Sequence, residues 1–338
     1  MTEPAWLEQI LDTTLPAEGG QIAVRGVSLV RQNRILRARS LVSDDQGQTG
    51  RSFGFKWHQR DTFESEAALA RTRTWLRERY GDIANAPWWS EYGGHPLVLD
   101  AGCGAGLSSL ELFGERLARV RYLGVDISDA VDVARTRFEE RGIEAAFLQA
   151  DLTELPLRER SVDVVFSEGV LHHTDSTRQA LTSLARLLAP NGRFLFYVYR
   201  KKGPIREFAD DYIRDKLRDM TPQDAWQALK PLTEFGAMLG DLDLDIDVPT
   251  AIDILDIPAG KLPLQRFFYW HIFKAFYRPE MSFDELHHIN FDWYAPSNAH
   301  RQTPEEVRAW CRDAGLVVDH EVVEEAGITV IARRVEKP

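Results

Sequence analysis

Between residues 95 and 200, short runs of apolar residues alternate with longer segments of helical periodicity. Five of these runs predict strands, at residues 96–100, 120–126, 146–151, 162–167 and 193–199. The runs are apolar almost throughout, which is typical of strands that helices cover on both faces. The pattern therefore predicts an α/β domain with a parallel sheet.

The flanking regions have different patterns. Residues 64–80 predict a helix that ends before Gly81, whereas the polar, glycine-containing residues 44–50 predict a turn. Residues 203–300 interrupt the strand–helix alternation and are predicted to be mostly helical. The alternation resumes at Thr303, which is predicted to cap a helix because Pro and two acids follow it.

These patterns divide the chain into four parts. They are an N-terminal extension (1–60), the first part of a core (61–202), an inserted helical cap (203–300) and the end of the core (301–338). In the last part, two apolar runs around Gly327 predict a pair of antiparallel strands.

Composition narrows the function classes. The chain has 338 residues, a formal net charge of −11 and two cysteines, Cys103 and Cys311. The acidic charge disfavours nucleic acid as the main partner, because phosphate binding requires a concentrated basic surface. Two cysteines cannot build a disulfide framework or a four-cysteine zinc site, and no apolar run is long enough to span a bilayer. We therefore expect a cytoplasmic protein without stable membrane insertion.

A glycine-rich turn follows the first predicted strand, in the sequence Val98–Gly106. Glycines allow a backbone to approach a ligand closely, and the helix that follows presents free N–H groups. The dinucleotide-binding pattern requires a glycine at position 107, where this chain has Leu107. A ligand without a pyrophosphate is therefore favoured, and Asp100 before the turn suits a cationic group.

Acidic residues end three successive predicted strands: Asp100, Asp126 and Asp151. In open α/β sheets this edge is where ligands bind. A carboxylate at Asp126 can accept both protons of a ribose diol, and Asp151 can accept from an exocyclic amine while Leu152 packs on a purine.

Together with Ser167–His173, these motifs resemble those of the class I S-adenosylmethionine-dependent methyltransferases. The resemblance covers about 95–200 and 303–335, and it implies a Rossmann-like seven-stranded sheet with S-adenosylmethionine as cofactor. In that family the glycine loop holds the methionine part, the second acid the ribose and the third the adenine. The residues expected to bind the cofactor are Asp100, Gly102, Cys103, Gly104, Asp126, Ile127, Asp151, Leu152 and Glu168.

Flanking segments suggest a subgroup. Ser52–Trp57, Asp292–Pro296 and Thr303–Val307 are similar to bacterial methyltransferases that often carry an N-terminal zinc ribbon. Residues 1–50 contain no cysteine, so this chain departs from that pattern and we expect no metal site.

Candidates for catalysis and acceptor binding come from two segments. His172 and His173 follow the fourth strand, where one imidazole can take a proton from a nucleophile or both can serve as positioning residues. The irregular segment before the last helix is rich in polar aromatic residues and suggests a pocket wall. The catalytic candidates are His173, Tyr294 and Asp292, and the acceptor-binding candidates are Trp57, His172, Trp293 and His300.

Residues 266–278 are unusually aromatic. Taken as a helix, Tyr269 and Phe273 lie on one face, and Trp270 and Lys274 on another. The core of the cap is the favoured interpretation. An apolar acceptor pocket, a homodimer surface and transient membrane contact are the alternatives.

The sequence thus predicts a methyltransferase that acts on an oxygen or nitrogen nucleophile of a small-molecule or glycan-type metabolite. The alternatives are an apolar lipid- or quinone-like acceptor, a non-catalytic scaffold with a cofactor fold, and a nicotinamide oxidoreductase, which Leu107 disfavours.

Overall fold

The structure is a computed structural model that describes residues 4–39, 42–59 and 63–335. Its strands are β1 (Gln21–Val24), β2 (Val27–Gln32), β3 (Ile35–Ala38), β4 (Leu97–Ala101), β5 (Arg121–Asp126), β6 (Ala145–Gln149), β7 (Val162–Glu168), β8 (Leu188–Tyr199), β9 (Asp245–Val248), β10 (Gly260–Pro263), β11 (Leu316–Val323) and β12 (Gly327–Arg334). Its α-helices are α1 (Ala5–Leu11), α2 (Asp44–His58), α3 (Glu66–Tyr80), α4 (Leu107–Phe113), α5 (Ala130–Glu140), α6 (Thr177–Leu187), α7 (Pro204–Leu217), α8 (Pro222–Asp241), α9 (Leu264–Phe267), α10 (Phe283–Tyr294) and α11 (Pro304–Asp313).

One large sheet organises the chain, in the order β1-β2-β3-β6-β5-β4-β7-β8-β12-β11. The strands from β6 to β8 are parallel, whereas β12 and β11 are antiparallel. These seven strands confirm the predicted Rossmann-like sheet. Because the order reverses beside β4, the connections diverge there and leave a crevice at the carboxyl ends of the strands.

Helices cover both faces of the sheet. Leu97, Leu99 and Ala101 of β4 belong to one buried cluster, and Val98 belongs to the cluster on the opposite face. The alternation follows from the period of two in a strand, and burial on both faces explains why the sequence of β4 is apolar.

The N-terminal part extends the sheet. Strands β1, β2 and β3 form an antiparallel meander, and β3 joins β6 in parallel at Leu36 and Leu148. The similarity to the zinc-ribbon subgroup is therefore not borne out, because this segment is a continuation of the core sheet. The predicted boundary between residues 60 and 61 lies outside the described residues.

The turn predicted at residues 44–50 is wrong, because this segment forms the first two turns of α2. Ser43 caps the helix by accepting the N–H of Gln46, which offsets the low helix propensity of the following residues. The glycines allow close packing: a Cβ at Gly54 would lie 2.5 Å from a carboxylate oxygen of Asp129. The helix thus forms because tertiary packing favours it.

The inserted segment between β8 and α11 consists of α7, α8, the β9–β10 hairpin, α9 and α10. The sequence predicts one helix over the aromatic stretch, but the stretch is interrupted. Helix α9 ends at Phe267, and a π-helical turn follows over Phe268–Ile272. Phe273 is extended and ends the turn. The predicted cap at Thr303 is confirmed, because its side chain accepts the N–H of Glu306.

Candidate functional site

A cavity of about 730 Å³ opens at the carboxyl ends of the central strands. Helices α2 and α3 and the inserted segment contribute to its other walls. The sequence-predicted residues that line it are Trp57, Gly102, Asp126, Ile127, Asp151, Leu152, Glu168, His173 and Asp292. One cavity therefore joins most of the predicted cofactor residues to two of the three predicted catalytic residues.

The glycine loop is tightly enclosed. Gly102 has a positive φ of 86°, and a Cβ there would lie 2.2 Å from the side chain of Val170. At Gly104 a Cβ would lie 2.7 Å from Nε1 of Trp57. Both positions require glycine, and the indole of Trp57 holds α2 against the loop.

Asp126 anchors the same loop from the end of β5. One carboxylate oxygen accepts the N–H of Gly104 at 2.8 Å, and the other accepts the N–H and hydroxyl of Ser128 at 2.9 and 2.7 Å. Burial raises the pKa of Asp126, and these hydrogen bonds oppose the shift. A carboxylate oxygen has two lone pairs, so the side chain keeps capacity to accept from a ligand in the cavity.

Asp151 lies at the far end of the strand edge. Its Oδ1 accepts the N–H and hydroxyl of Thr153, both at 2.7 Å. These bonds fix the carboxylate while Oδ2 stays available, and Leu152 beside it supplies an apolar surface in the same cavity. The pair matches a ligand with a planar ring and an amino group.

Asp100 and Glu168 differ in their positions. Asp100 does not line the cavity; it accepts from Ser109 and Tyr122, both at 2.5 Å, and burial raises its pKa to about 6. Glu168 does line the cavity. Burial raises the pKa of Glu168 to about 7, although nearby Arg79 and a hydrogen bond from Tyr80 lower it. Asp100 thus connects β4 to Ser109 of α4 and Tyr122 of β5.

His173 presents a free nitrogen in this region. Its Nδ1 lies 2.6 Å from the carbonyl oxygen of Asn298 and must donate to it, because a carbonyl only accepts. The neutral ring therefore carries its lone pair on Nε2, which is buried and has no hydrogen-bond partner among the described residues. Burial lowers the pKa of His173 to about 4, so the ring is neutral at pH 7.

An ion pair lies beside His173. Lys56 of α2 contacts Asp292 of α10, and Tyr199 donates to the same carboxylate at 3.2 Å. The ammonium of Lys56 also lies 4.1 Å from the centre of the Trp57 ring. The charge of Lys56 holds the pKa of Asp292 far below its ordinary value despite burial. Asp292 is therefore a carboxylate that fastens α2 to the inserted segment.

Seven predicted residues lie outside the cavity lining: Asp100, Cys103, Gly104, His172, Trp293, Tyr294 and His300. His172 is fully buried against Tyr199, with ring centres 3.7 Å apart.

Trp293 and Tyr294 serve a network inside the inserted segment. They donate to Asp210 at 2.8 and 2.7 Å, respectively. His300 is exposed and uses its backbone N–H to contact His172. The structure does not bring these residues to the position where a ligand can lie.

Sequence reasoning missed Lys56, Tyr199 and Lys274, which all line the cavity. Lys56 lies in the quoted segment Ser52–Trp57, but its partner Asp292 is 236 residues away. A lysine inside an aromatic run was the sequence signal available for Lys274.

The lining fits S-adenosylmethionine. Gly102 in the lining leaves no room for a side chain, and Asp126 and Asp151 are held with accepting capacity. The cavity lies within the range of about 300–1,000 Å³ usual for ligand sites. Residues 99–196 match the family model of the methyltransferase domain.

These residues are a class I S-adenosylmethionine-dependent methyltransferase domain. The predicted family and cofactor are thereby confirmed.

Two curated relatives resemble the methyltransferase domain and its surroundings. A probable tRNA methyltransferase 9B of Bos taurus is 30% identical over 161 residues, which are 45% of this chain and 31% of that protein. The uncharacterized methyltransferase YcgJ of Bacillus subtilis is 31% identical over 171 residues, which are 50% of this chain and 61% of that protein. The chain therefore spans less than two thirds of the length of either relative.

Two solved structures are also similar. The 1,6-didemethyltoxoflavin-N1-methyltransferase of Burkholderia thailandensis has a TM-score of 0.44 and 15% identity, covering 94% of this chain and 99% of that chain. The magnesium protoporphyrin IX methyltransferase of Synechocystis PCC 6803 has a TM-score of 0.47 and 15% identity, covering 86% and 100%. Identities this low do not define an acceptor.

Within residues 4–39, 42–59 and 63–335, no group of three or more His, Cys, Asp or Glu residues could hold a metal ion. Across the same ranges, every helix is too short or too polar to cross a bilayer.

Proposed function

We propose that this protein transfers a methyl group from S-adenosylmethionine to an oxygen or nitrogen nucleophile of a small-molecule or glycan-type metabolite. The observation that carries the proposal is the single cavity in which the strand-end acids Asp126 and Asp151 face the same space as His173 and the aromatic inserted segment. An acceptor there lies next to the cofactor and is enclosed by protein.

The chain's residues position the cofactor. Gly102 and Gly104 receive the methionine part, Asp126 accepts from the ribose hydroxyls, and Asp151 with Leu152 holds the adenine. When bound, the sulfonium supplies an activated methyl group. Trp57 closes the glycine loop and excludes water, so that alignment supplies most of the acceleration.

His173 is the proposed general base. His173 lines the cavity, its buried Nε2 has no hydrogen-bond partner among the described residues, and the carbonyl of Asn298 fixes the tautomer. As the nucleophile loses its proton, Nε2 accepts it, and the carboxylate of Asp292 stabilises the imidazolium. Asp292 is a positioning residue in this scheme.

Charged groups in the lining support a polar acceptor over a lipid- or quinone-like one. Lys56, Lys274, Asp292 and Arg71 share the cavity with Tyr269 and other aromatic residues. An apolar tail would shield Lys274 from water without supplying an anion, and no ion pair compensates this ammonium among the described residues.

The relative with a tRNA methyltransferase name makes RNA the second acceptor class to test. The formal net charge of −11 argues against it, because RNA binding gains its affinity from cationic contacts with phosphate.

The test has two steps. Isothermal titration calorimetry with S-adenosylmethionine and NAD is expected to show binding of the first alone. Incubation with fractionated metabolite extract is then expected to release S-adenosylhomocysteine, whereas bulk tRNA and lipid vesicles give none. Failure of every metabolite fraction, with turnover on tRNA or on lipid, would contradict the proposed acceptor class.

A further inference from the structure

Lys274 is a buried cation in the cavity wall. Its side chain is 7% exposed, and it follows the π-helical turn in the inserted segment. Its Nζ lies 4.6 Å from the centre of the Trp293 ring. Within the described ranges no carboxylate lies at ion-pair distance from this ammonium.

The acids near Lys274 are paired with other cations, so its positive charge is not neutralised. The acids Asp292 of α10 and Asp210 of α7 attract its positive charge. The cations Arg206 of α7 and Lys56 of α2 repel it. Lys56 pairs with Asp292, and Arg206 donates to Asp210 at 2.6 Å. Each acid is thus matched by another cation, and one positive charge remains in a region shielded from water.

Such a charge is costly without a partner. Removing an ammonium from water is unfavourable unless an anion or several acceptors replace the solvent. The indole of Trp293 compensates only in part. The pKa of Lys274 is lowered to about 7, mainly because burial disfavours the charged ammonium. An anion that enters the cavity would restore the balance.

The walls around this charge indicate the rest of the ligand. Tyr269, Trp270 and Phe276 line the same cavity. They offer flat apolar surface next to a single ammonium donor. This combination recognises an organic anion that has an aromatic or otherwise apolar body.

We propose that the methyl acceptor is an organic oxyanion, a carboxylate or a phosphate monoester, whose charged group pairs with Lys274 and whose body packs on Tyr269 and Trp270. The inference rests on the proposed function, since it names the class of acceptor for that site. It also gives the excess charge at Lys274 a role in orienting the acceptor.

The test uses probes of known structure. Benzoate, phenyl phosphate and the uncharged benzamide are titrated into protein saturated with S-adenosylhomocysteine. We expect benzoate or phenyl phosphate to bind the wild type about tenfold more tightly than benzamide, because only the anions can form an ion pair with the ammonium. The tighter of the two identifies the oxyanion.

Substitutions test whether the Lys274 side chain causes the preference for the anions over benzamide. Lys274→Met is expected to lose the preference, Lys274→Arg to retain it, and Lys261→Met to leave it unchanged. Lys261 is a matched control because it undergoes the same substitution at an exposed position on the β9–β10 hairpin, outside the cavity lining. Unchanged affinity of Lys274→Met for S-adenosylhomocysteine verifies that it is folded.

The outcomes separate the two proposals. If S-adenosylhomocysteine does not bind the wild type, the proposed function fails. If it binds but neither anion exceeds benzamide, or the preference survives in Lys274→Met, the acceptor class proposed here is overturned while the cofactor assignment stands.

Discussion

The indole of Trp57 lies directly against Gly104, so a Cβ at that glycine would come within 2.7 Å of Nε1. The contact joins α2 to the loop that follows β4. A helix outside the methyltransferase domain match at residues 99–196 therefore forms part of the wall of the proposed cofactor site.

Gly104→Ala is expected to weaken binding of S-adenosylhomocysteine about tenfold or more, measured by calorimetry, because the methyl group displaces Trp57 and strains a φ of 49°. Gly114→Ala is the matched control, since its φ is 51° but nothing lies within 4 Å of its Cβ. Equal effects of both variants would show that only backbone strain matters.

Asp126→Asn is expected to weaken S-adenosylhomocysteine binding about tenfold or more, because the amide cannot accept the N–H of Gly104 and the ribose protons as a carboxylate does. Asp129→Asn, at an exposed neighbouring position outside the cavity lining, should bind normally. An unchanged dissociation constant for Asp126→Asn would refute the ribose assignment.

His173→Gln is expected to lower kcat about a hundredfold with the active metabolite fraction, while the affinity for S-adenosylhomocysteine stays constant. The change removes the proton acceptor and leaves the cofactor wall intact. His58→Gln serves as control, because His58 lies on the same helix as Lys56 but outside the cavity lining. Full turnover by His173→Gln would exclude the general-base role.

The pH dependence of kcat provides an independent check on His173. Its pKa is lowered to about 4, so the imidazole is neutral and able to accept a proton throughout the neutral range. At saturating cofactor and acceptor, kcat should be level from pH 8 to pH 6 and fall as pH drops below 5. A midpoint near the ordinary histidine value of about 6.5 would contradict a buried base.

The ion pair between Lys56 and Asp292 should show coupling in a double-mutant cycle. Lys56→Met alone leaves a carboxylate buried without its cation, so we expect the free energy of unfolding to fall by about 2–3 kcal/mol, less than for a fully buried pair because Asp292 is partly exposed. Adding Asp292→Leu should recover part of that loss. Strictly additive losses in urea denaturation would show that the two charges do not interact.

The sequence alone determined the central strands, the glycine loop and the acids Asp126 and Asp151, and with them the family. These features are local: an apolar run forms a strand, a glycine permits a tight turn, and a residue at the end of a parallel strand reaches the ligand edge. No long-range contact is needed to recognise them.

Only the tertiary structure decided that residues 44–50 are helical and that Lys56 pairs with Asp292. It also decided that, within the described residues, no carboxylate lies at ion-pair distance from the Lys274 ammonium. The helix depends on glycines that fit against Ile127 and Asp129, and the ion pair joins residues 236 positions apart. Whether a charge is matched depends on the summed field and burial at one point in space. A linear pattern does not contain that quantity, because distant segments supply the neighbours.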